Sequence, residues 1–158
     1  MPTPTYTLID SVTLGSSASS VTFSGISAAG KGDLVLVFCG AASSTAAFRI
    51  RFNSDTTNTN YNRVYMFGNG SNALSGTQNE SYVGTVGTTQ SNNQIQIMDF
   101  SSTDKHTTYL SRDNWDAGTR AQAARWSNTS AITSVGLELN SGTVNAGSTF
   151  HLYQIVSE

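Results

Sequence analysis

The sequence has little charge, almost no proline and a single cysteine. Its 158 residues include 8 lysines and arginines and 10 aspartates and glutamates. Charged residues therefore make up 11% of the chain, against about 25% in an average soluble domain. No run of Lys or Arg occurs, so the electrostatic footprint of a nucleic-acid-binding protein is missing. A surface so poor in charge has little self-repulsion and suits docking onto another protein.

The sequence also has few metal-ligating residues and no long apolar segment. This argues against disulfide-linked, zinc-binding and membrane-spanning proteins. The lone Cys39 cannot form an intrachain disulfide, and its place in an apolar run predicts a buried, unreactive thiol. One Cys and two distant histidines do not make a zinc site. No segment approaches about 18 consecutive apolar residues, and the N-terminal residues do not resemble a signal peptide. We expect no metal, no cofactor, no nucleic acid and no membrane among the partners.

What the sequence does contain is apolar alternation with a period of two. The clearest case is residues 48–52, where the apolar side chains at 48, 50 and 52 point one way and Arg49 and Arg51 point the other. A helical apolar stripe with caps is absent. Short alternating segments separated by Gly, Ser and Asn turns predict an antiparallel all-β jelly roll or β-sandwich. We expect one domain over residues 1–158, with residues 1–5 as an extended arm.

The alternation predicts about ten or eleven strands. An irregularity near Asp10 and Ser11 suggests a bulge in the first of them. The segment 113–118 is predicted to be a loop. The predicted strands are 6–14, 21–26, 34–39, 47–53, 61–67, 81–86, 94–100, 106–112, 122–126, 132–139 and 149–155.

Candidate catalytic groups are sparse. His106 and His151 are the two histidines, and serines and threonines are so abundant that their nearness carries no information about a hydrolytic triad. The ten carboxylates are scattered at turns and strand ends, without the pairing across a groove that a glycosidase needs. The sequence therefore predicts that the chain is not an enzyme. A hydrolytic triad and a glycosidase carboxylate pair remain open as less favoured alternatives.

The segment 113–118 most resembles a binding site. Asp113 and Asp116, with Asn114 between them, could offer oxygens to Ca²⁺, and Trp115 could stack on a sugar. The frame of an EF-hand loop is missing. The favoured interpretation is an Asx-rich turn with its Trp packed back onto the sandwich. A receptor or glycan loop at Asp113, Trp115 and Asp116 is the alternative.

Several strand-and-turn segments together suggest a family. They are 6–16, 20–26, 33–37, 50–55, 60–61, 126–135 and 146–155. These segments resemble small jelly-roll virion proteins of tailed bacteriophages, and the resemblance runs from Tyr6 to Ile155. It implies a module on the virion, either a capsid decoration (cement) protein or a part of a fibre or receptor-binding structure. The chain is shorter than the longer members between Gly68 and Phe100, and no functional residue of the group carries over.

The preferred hypothesis is a capsid decoration protein on the outer face of an assembled phage head. The chain would be made in the host cytoplasm, bind the lattice of the major capsid protein and form a homotrimer at a local threefold point. Arg49, Arg51 and Arg63 are the predicted interface anchors. The absence of a fibrous or coiled-coil segment favours this over the alternative, a carbohydrate- or host-receptor-binding module at a tail fibre or tail tip.

Overall fold

The chain folds almost entirely into β-strands. The computed structural model describes residues 5–29 and 32–155, so most of the predicted N-terminal arm, residues 1–4, lies outside the described residues. No helix in the described part of the chain has the length and apolarity needed to cross a membrane. The elements are β1 Tyr6–Thr13, β2 Ser20–Ser24, β3 Asp33–Gly40, β4 Ala46–Phe52, a 3₁₀ turn Asn58–Asn60, β5 Tyr61–Gly68, β6 Ala73–Gln78, β7 Tyr82–Val86, β8 Ser91–Ile97, β9 Thr107–Trp115, β10 Gly118–Trp126, β11 Ser134–Leu139 and β12 Thr149–Ile155.

The strands form two antiparallel sheets packed face to face. The larger sheet has eight strands in the order β1-β12-β3-β8-β9-β10-β5-β6, and the smaller has four in the order β2-β11-β4-β7. Every pair of hydrogen-bonded neighbours is antiparallel. The predicted all-β sandwich is confirmed. Its two sheets differ in width, and this decides which surfaces remain open.

The core lies between the sheets and is rich in aromatic rings. Phe52 packs on Tyr61, Tyr109 and Trp126, with ring centroids 5.3–6.2 Å apart. These four side chains are at most 1% exposed. Aromatic pairs at such distances stabilise a core by about 0.5–1.5 kcal/mol each beyond the area that they bury. The predicted alternation in residues 48–52 is confirmed, because all three apolar side chains are fully buried.

The inner face of the larger sheet is apolar on one half and polar on the other. One row of directly opposed residues starts with the aliphatic side chains of Leu36 and Ile95 and continues through Ser111 and Gln122 to Tyr65. The smaller sheet ends at β7, which packs across the sandwich on β8 and β9. Strands β5 and β6 therefore extend beyond the edge of the smaller sheet.

Two local predictions are corrected. The segment 113–118 is not a loop: β9 runs to Trp115, β10 begins at Gly118, and only two residues form the turn between them. Asp113 consequently lies inside a strand. The segment 73–78, which carried no predicted strand, forms β6 at the edge of the larger sheet. The irregularity in β1 lies between Leu8 and Asp10, close to the predicted position.

A carboxylate holds the chain between β4 and β5. Asp55 accepts hydrogen bonds from the Thr57 backbone N–H (2.9 Å), the Asn60 amide (2.8 Å) and the Trp126 indole N–H (2.8 Å). Partial burial alone would raise the pKa of Asp55. The hydrogen bonds from Asn60, Trp126 and Thr57 outweigh it, so the pKa lies below its usual value. Asp55 thereby ties the buried Trp126 ring to a surface segment.

Replacing Asp55 with Ala is expected to lower the free energy of unfolding by about 1–3 kcal/mol, because the Trp126 indole N–H loses its partner. The depressed pKa means that the native state favours the carboxylate. Its contribution is therefore present above about pH 4 and lost as the pH falls through the folded pKa. Urea unfolding at neutral and acidic pH measures both effects, with Asp55→Asn as the matched variant. A loss that does not shrink in acid would contradict this assignment.

Candidate functional site

The predicted arginine anchors lie on two different parts of the sandwich. Arg49 and Arg51 point outward from β4 on the smaller sheet. Arg51 donates to Glu138 at 2.5 and 2.9 Å and to Ser81 at 3.0 Å, and its side chain is 11% exposed. Arg51 is therefore engaged within the chain rather than free at the surface.

Arg63 is buried at the open edge of the sandwich. It projects from the inner face of β5, is 6% exposed, and pairs with Glu80 at 2.8 Å. It also donates to Gln122 (3.1 Å) and to Gln78. A buried ion pair is weak evidence for a binding role. To bind a partner, Arg63 would have to leave Glu80, and this would leave an uncompensated buried charge. This burial removes Arg63 from the set of surface anchors in the single chain.

One tyrosine brings two of the three arginines together. The Tyr82 ring on β7 has the guanidinium carbon of Arg49 at 5.2 Å and that of Arg63 at 5.6 Å from its centroid. Arg49 also donates to the Tyr82 hydroxyl at 3.3 Å. These cation–π contacts connect the two sheets at the edge where the smaller sheet ends. The arrangement is best explained as structural.

Asp113 and Arg120 form a second polar group between the sheets. Asp113 is 4% exposed and accepts the Thr85 backbone N–H at 2.8 Å, which joins β9 to β7. Its other carboxylate oxygen has no hydrogen-bond partner among the described residues. Burial raises the pKa of Asp113 to about 6, against the opposing effects of the Thr85 hydrogen bond and of Arg120. Arg120 donates to the Thr85 hydroxyl at 3.0 Å, and burial lowers its pKa.

The alternative receptor loop is largely folded into this region. The Trp115 ring stacks on Phe67, with centroids 5.4 Å apart and an interplanar angle of 17°, and the Arg120 guanidinium lies 5.3 Å from its centre. Asp116 is exposed in the turn and accepts the Thr88 hydroxyl at 3.3 Å. The side chains of Asp113, Trp115 and Asp116 thus do not converge on one exposed point.

The two histidines lie apart from each other and outside the core. His151 lies in β12 on the outer face and has the Tyr153 ring at 6.2 Å, while His106 is exposed just before β9. Within residues 5–29 and 32–155, no group of three or more His, Cys, Asp or Glu side chains is placed to hold a metal ion.

An exposed apolar surface lies on the outer face of the larger sheet. Three apolar residues stand directly opposite one another across β5, β10 and β9, namely Val64, Ala123 and Leu110. Met66 and Ala121 form the next row. We call these five residues the outer apolar face. Val64 is 55% exposed, Met66 66% and Leu110 43%.

The outer apolar face is concave and almost free of charge. It forms the floor of a depression of about 530 Å³. Gln94, Gln96 and Arg112 stand at its margin, and the Arg112 guanidinium donates to the Gln94 carbonyl oxygen at 2.9 and 3.1 Å. A contiguous exposed apolar patch with a polar margin is typical of a protein interaction site. The geometry suits adhesion to another surface.

Comparisons with known proteins identify no family for this chain. No protein-family model and no curated protein sequence matches this chain. Among solved structures, an exo-inulinase from Aspergillus awamori is similar, with 16% identity and a TM-score of 0.49, over 95% of this chain and 29% of that one. A galectin of Caenorhabditis elegans is 8% identical with a TM-score of 0.38, over 93% of this chain and 96% of its own length.

A viral protein is among the similar structures. The coat protein of Tobacco streak virus is 9% identical with a TM-score of 0.34, over 100% of this chain and 92% of that one. At these identities and TM-scores, the likenesses carry no argument about what this chain binds or does.

Sequence reasoning did not find the outer apolar face. Val64 and Met66 lie in a predicted strand whose other face also carries large side chains, Tyr65 and Phe67. The sequence does carry one sign of this face, because β5 has large residues on both of its sides. The face itself is assembled from β5, β9 and β10, so only the strand order reveals it.

Proposed function

We propose that this chain is a non-enzymatic structural protein of a bacteriophage virion, which decorates the outer surface of the assembled head. The observation that carries the proposal is the outer apolar face, an exposed, concave and nearly uncharged surface on a compact sandwich. The sequence resemblance to phage virion proteins indicates the partner, the lattice of the major capsid protein. The homotrimer and the location on the capsid surface stay predictions within this proposal.

The proposed mechanism is stabilisation by linkage. A protein that binds the assembled lattice and not its separate subunits lowers the free energy of the assembled state by RT ln(1 + [L]/Kd). Such docking is driven by burial of apolar surface, at about 25 cal/mol per Å² removed from water. Val64, Met66 and Leu110 project far enough to supply that area. No catalytic group is needed for this role.

Charge placed in the outer apolar face is expected to weaken docking strongly. Met66→Lys and Leu110→Lys should each weaken binding to purified heads at least about tenfold, because each would bury an unpaired ammonium group in an apolar contact. Both side chains are exposed, so the free energy of unfolding should change little. Co-sedimentation of the purified chain with heads that lack it measures the binding.

Thr22→Lys is the matched control for that experiment. Thr22 is exposed on β2 of the smaller sheet, away from the outer apolar face, and its replacement adds the same charge. It should bind heads as the unmodified chain does. If Met66→Lys and Leu110→Lys also bind unchanged, the docking surface is wrong. If the unmodified chain does not bind heads at all, the decoration role is wrong.

The alternative of a carbohydrate- or receptor-binding module rests on a different part of the same face. Beside the outer apolar face, a depression of about 340 Å³ is lined in part by Asn92, Gln94, Arg112 and Asn114. Amide and guanidinium groups are donors and acceptors that suit sugar hydroxyls. A glycan array in which Asn114→Ala abolishes a signal, while Met66→Lys keeps it, would favour this alternative over decoration.

A further inference from the structure

The β6 edge of this fold lacks the usual protection against pairing. The free edges are β1 and β6 in the larger sheet and β2 and β7 in the smaller. Folded proteins protect such edges with charges, prolines, bulges or very short strands. β1 carries Asp10 and a bulge, and the pairing of β7 with β4 is shifted. β6 has neither charge nor proline, and it pairs with β5 in regular register over all six residues.

The surroundings of β6 are exposed and apolar. Five of its six residues are exposed and Gly76 is half-buried, whereas β2 buries Val21 and Phe23 under the sandwich. The three most exposed large apolar side chains in the described chain are Met66, Leu74 and Val64, at 66%, 59% and 55%. All three lie on β6 or on its neighbour β5. The greatest apolar exposure therefore lies beside the β6 edge, with Leu74 on the face of the sheet that holds Phe67 and with Val64 and Met66 on the opposite face.

We propose that β6 pairs antiparallel with β6 of a second copy of this chain about a twofold axis, which joins the two larger sheets edge to edge. The occupant follows from the chemistry of the strand. Antiparallel self-pairing brings no like charges together, because residues 73–78 carry none. Pairing about a twofold axis is an isologous contact, the commonest symmetry of soluble oligomers.

The contact is small, and this sets its expected strength. A six-residue strand is about 20 Å long, so the interface lies below the standard size of a stable complex and we expect a dissociation constant of about 1 µM to 1 mM. Tethering on a shared surface raises the effective concentration and would favour pairing. The inference does not rest on head docking. If the chain is also a trimer through another surface, the two contacts close into a hexamer where the twofold axes meet the threefold axis at right angles.

Analytical ultracentrifugation over a range of concentrations tests the pairing. The unmodified chain should show an even number of copies that dissociates on dilution. Ser75→Lys and Thr77→Lys, at exposed positions of β6, should weaken the association at least about tenfold. Thr22→Lys on the β2 edge is the matched control and should leave it unchanged. A chain that is only monomeric or only trimeric at about 1 mM, or an association that the β6 variants do not affect, would overturn the proposal.

Cysteine cross-linking identifies the contact directly. In a Cys39→Ser background, single cysteines at positions 74, 75, 76 and 77 are oxidised and analysed by mass. Opposed residues in an antiparallel pair lie about 4.5–5.5 Å apart between Cα atoms, which suits a disulfide. A disulfide-linked dimer should form efficiently at the one or two positions nearest the twofold axis. Equal yields at all four positions and at a Thr22→Cys control would show random collision and contradict the pairing.

Discussion

Replacing Asp113 with Asn is expected to raise the free energy of unfolding at pH 7 by up to about 3 kcal/mol. The carboxyl group is 4% exposed, one of its oxygens has no hydrogen-bond partner among the described residues, and burial raises its pKa to about 6. Each unit of pKa shift corresponds to about 1.4 kcal/mol between the two protonation states. Asn resembles the protonated acid in shape and charge, so the variant avoids the cost of the buried charge.

The pH dependence of this effect has a definite sign. The folded pKa of Asp113 lies above the ordinary value of 3.8, so the native state holds the proton more tightly than the unfolded chain does. The contribution of Asp113 to stability is therefore greatest in acid and falls as the pH rises from about 4 to about 6. Above that range the difference between the two proteins should be constant.

Urea unfolding of the unmodified chain and of Asp113→Asn between pH 4 and pH 8 measures the difference in their free energies of unfolding. The contributions of the other titratable groups cancel in that difference. Asp116→Asn changes an exposed carboxylate of the same hairpin and should have little effect at any pH. An Asp113→Asn protein that is less stable than the unmodified chain at pH 7 would contradict the account. It would mean that the attraction between Asp113 and Arg120 outweighs the burial of the carboxylate.

Replacing Gly84 with Ala is expected to lower the free energy of unfolding by about 2–4 kcal/mol. A Cβ atom at position 84 would lie 1.7 Å from the amide nitrogen of Asn93 and 3.1 Å from the Cβ of Asp113. Asn93 is 2% exposed and donates to the Val83 carbonyl at 3.2 Å, so its side chain cannot move aside without losing that bond. The close approach of β7 to β8 and β9 depends on this glycine.

Thermal or urea unfolding of Gly84→Ala measures the loss, with Gly15→Ala as the control because nothing lies within 4 Å of a Cβ there. Gly15→Ala should be close to neutral. In the double variant with Asn93→Ala, the clash is removed, so the combined loss should be smaller than the sum of the single losses. Strict additivity would show that the two positions are not in contact.

The sequence predicted the fold class because its strongest pattern is local. Strands such as β4 alternate apolar and polar residues, and that alternation follows directly from one buried and one open face. The same pattern in the final strand made Phe150, Leu152 and Tyr153 core candidates; Phe150 and Leu152 are buried, but Tyr153 is only half-buried. Tyr6 and Leu8, which fit the same pattern in β1, are instead 54% and 51% exposed because β1 is an edge strand.

Other features were invisible for physical reasons. β6 is exposed on both faces, so it carries no alternation and has one large apolar residue, Leu74. Asp113 was placed in a loop because Asp and Asn favour turns, yet the strand pairing continues through it and buries it. Arg63 looked like a surface cation because its partners Glu80 and Gln122 lie 17 and 59 residues away.

The candidate site depends even more on topology than the fold does. The outer apolar face takes two residues each from β5 and β10 and one from β9, and β5 lies beside β10 in the sheet although four strands separate them along the chain. The pattern within each strand indicates two faces, and the packing decides which of them meets the smaller sheet. The proposed function therefore rests on the sequence resemblance, while the proposed docking surface required the strand order.

The central claim is that the chain docks on the phage head through the outer face of its larger sheet. An electron-microscopy map of the virion that carries the chain tests this most directly. The account predicts one sandwich-shaped density per copy on the outside of the head, with Val64, Met66 and Leu110 turned toward the shell. Density at the tail, no density on the particle, or a copy that contacts the shell through β2 and β11 would contradict it.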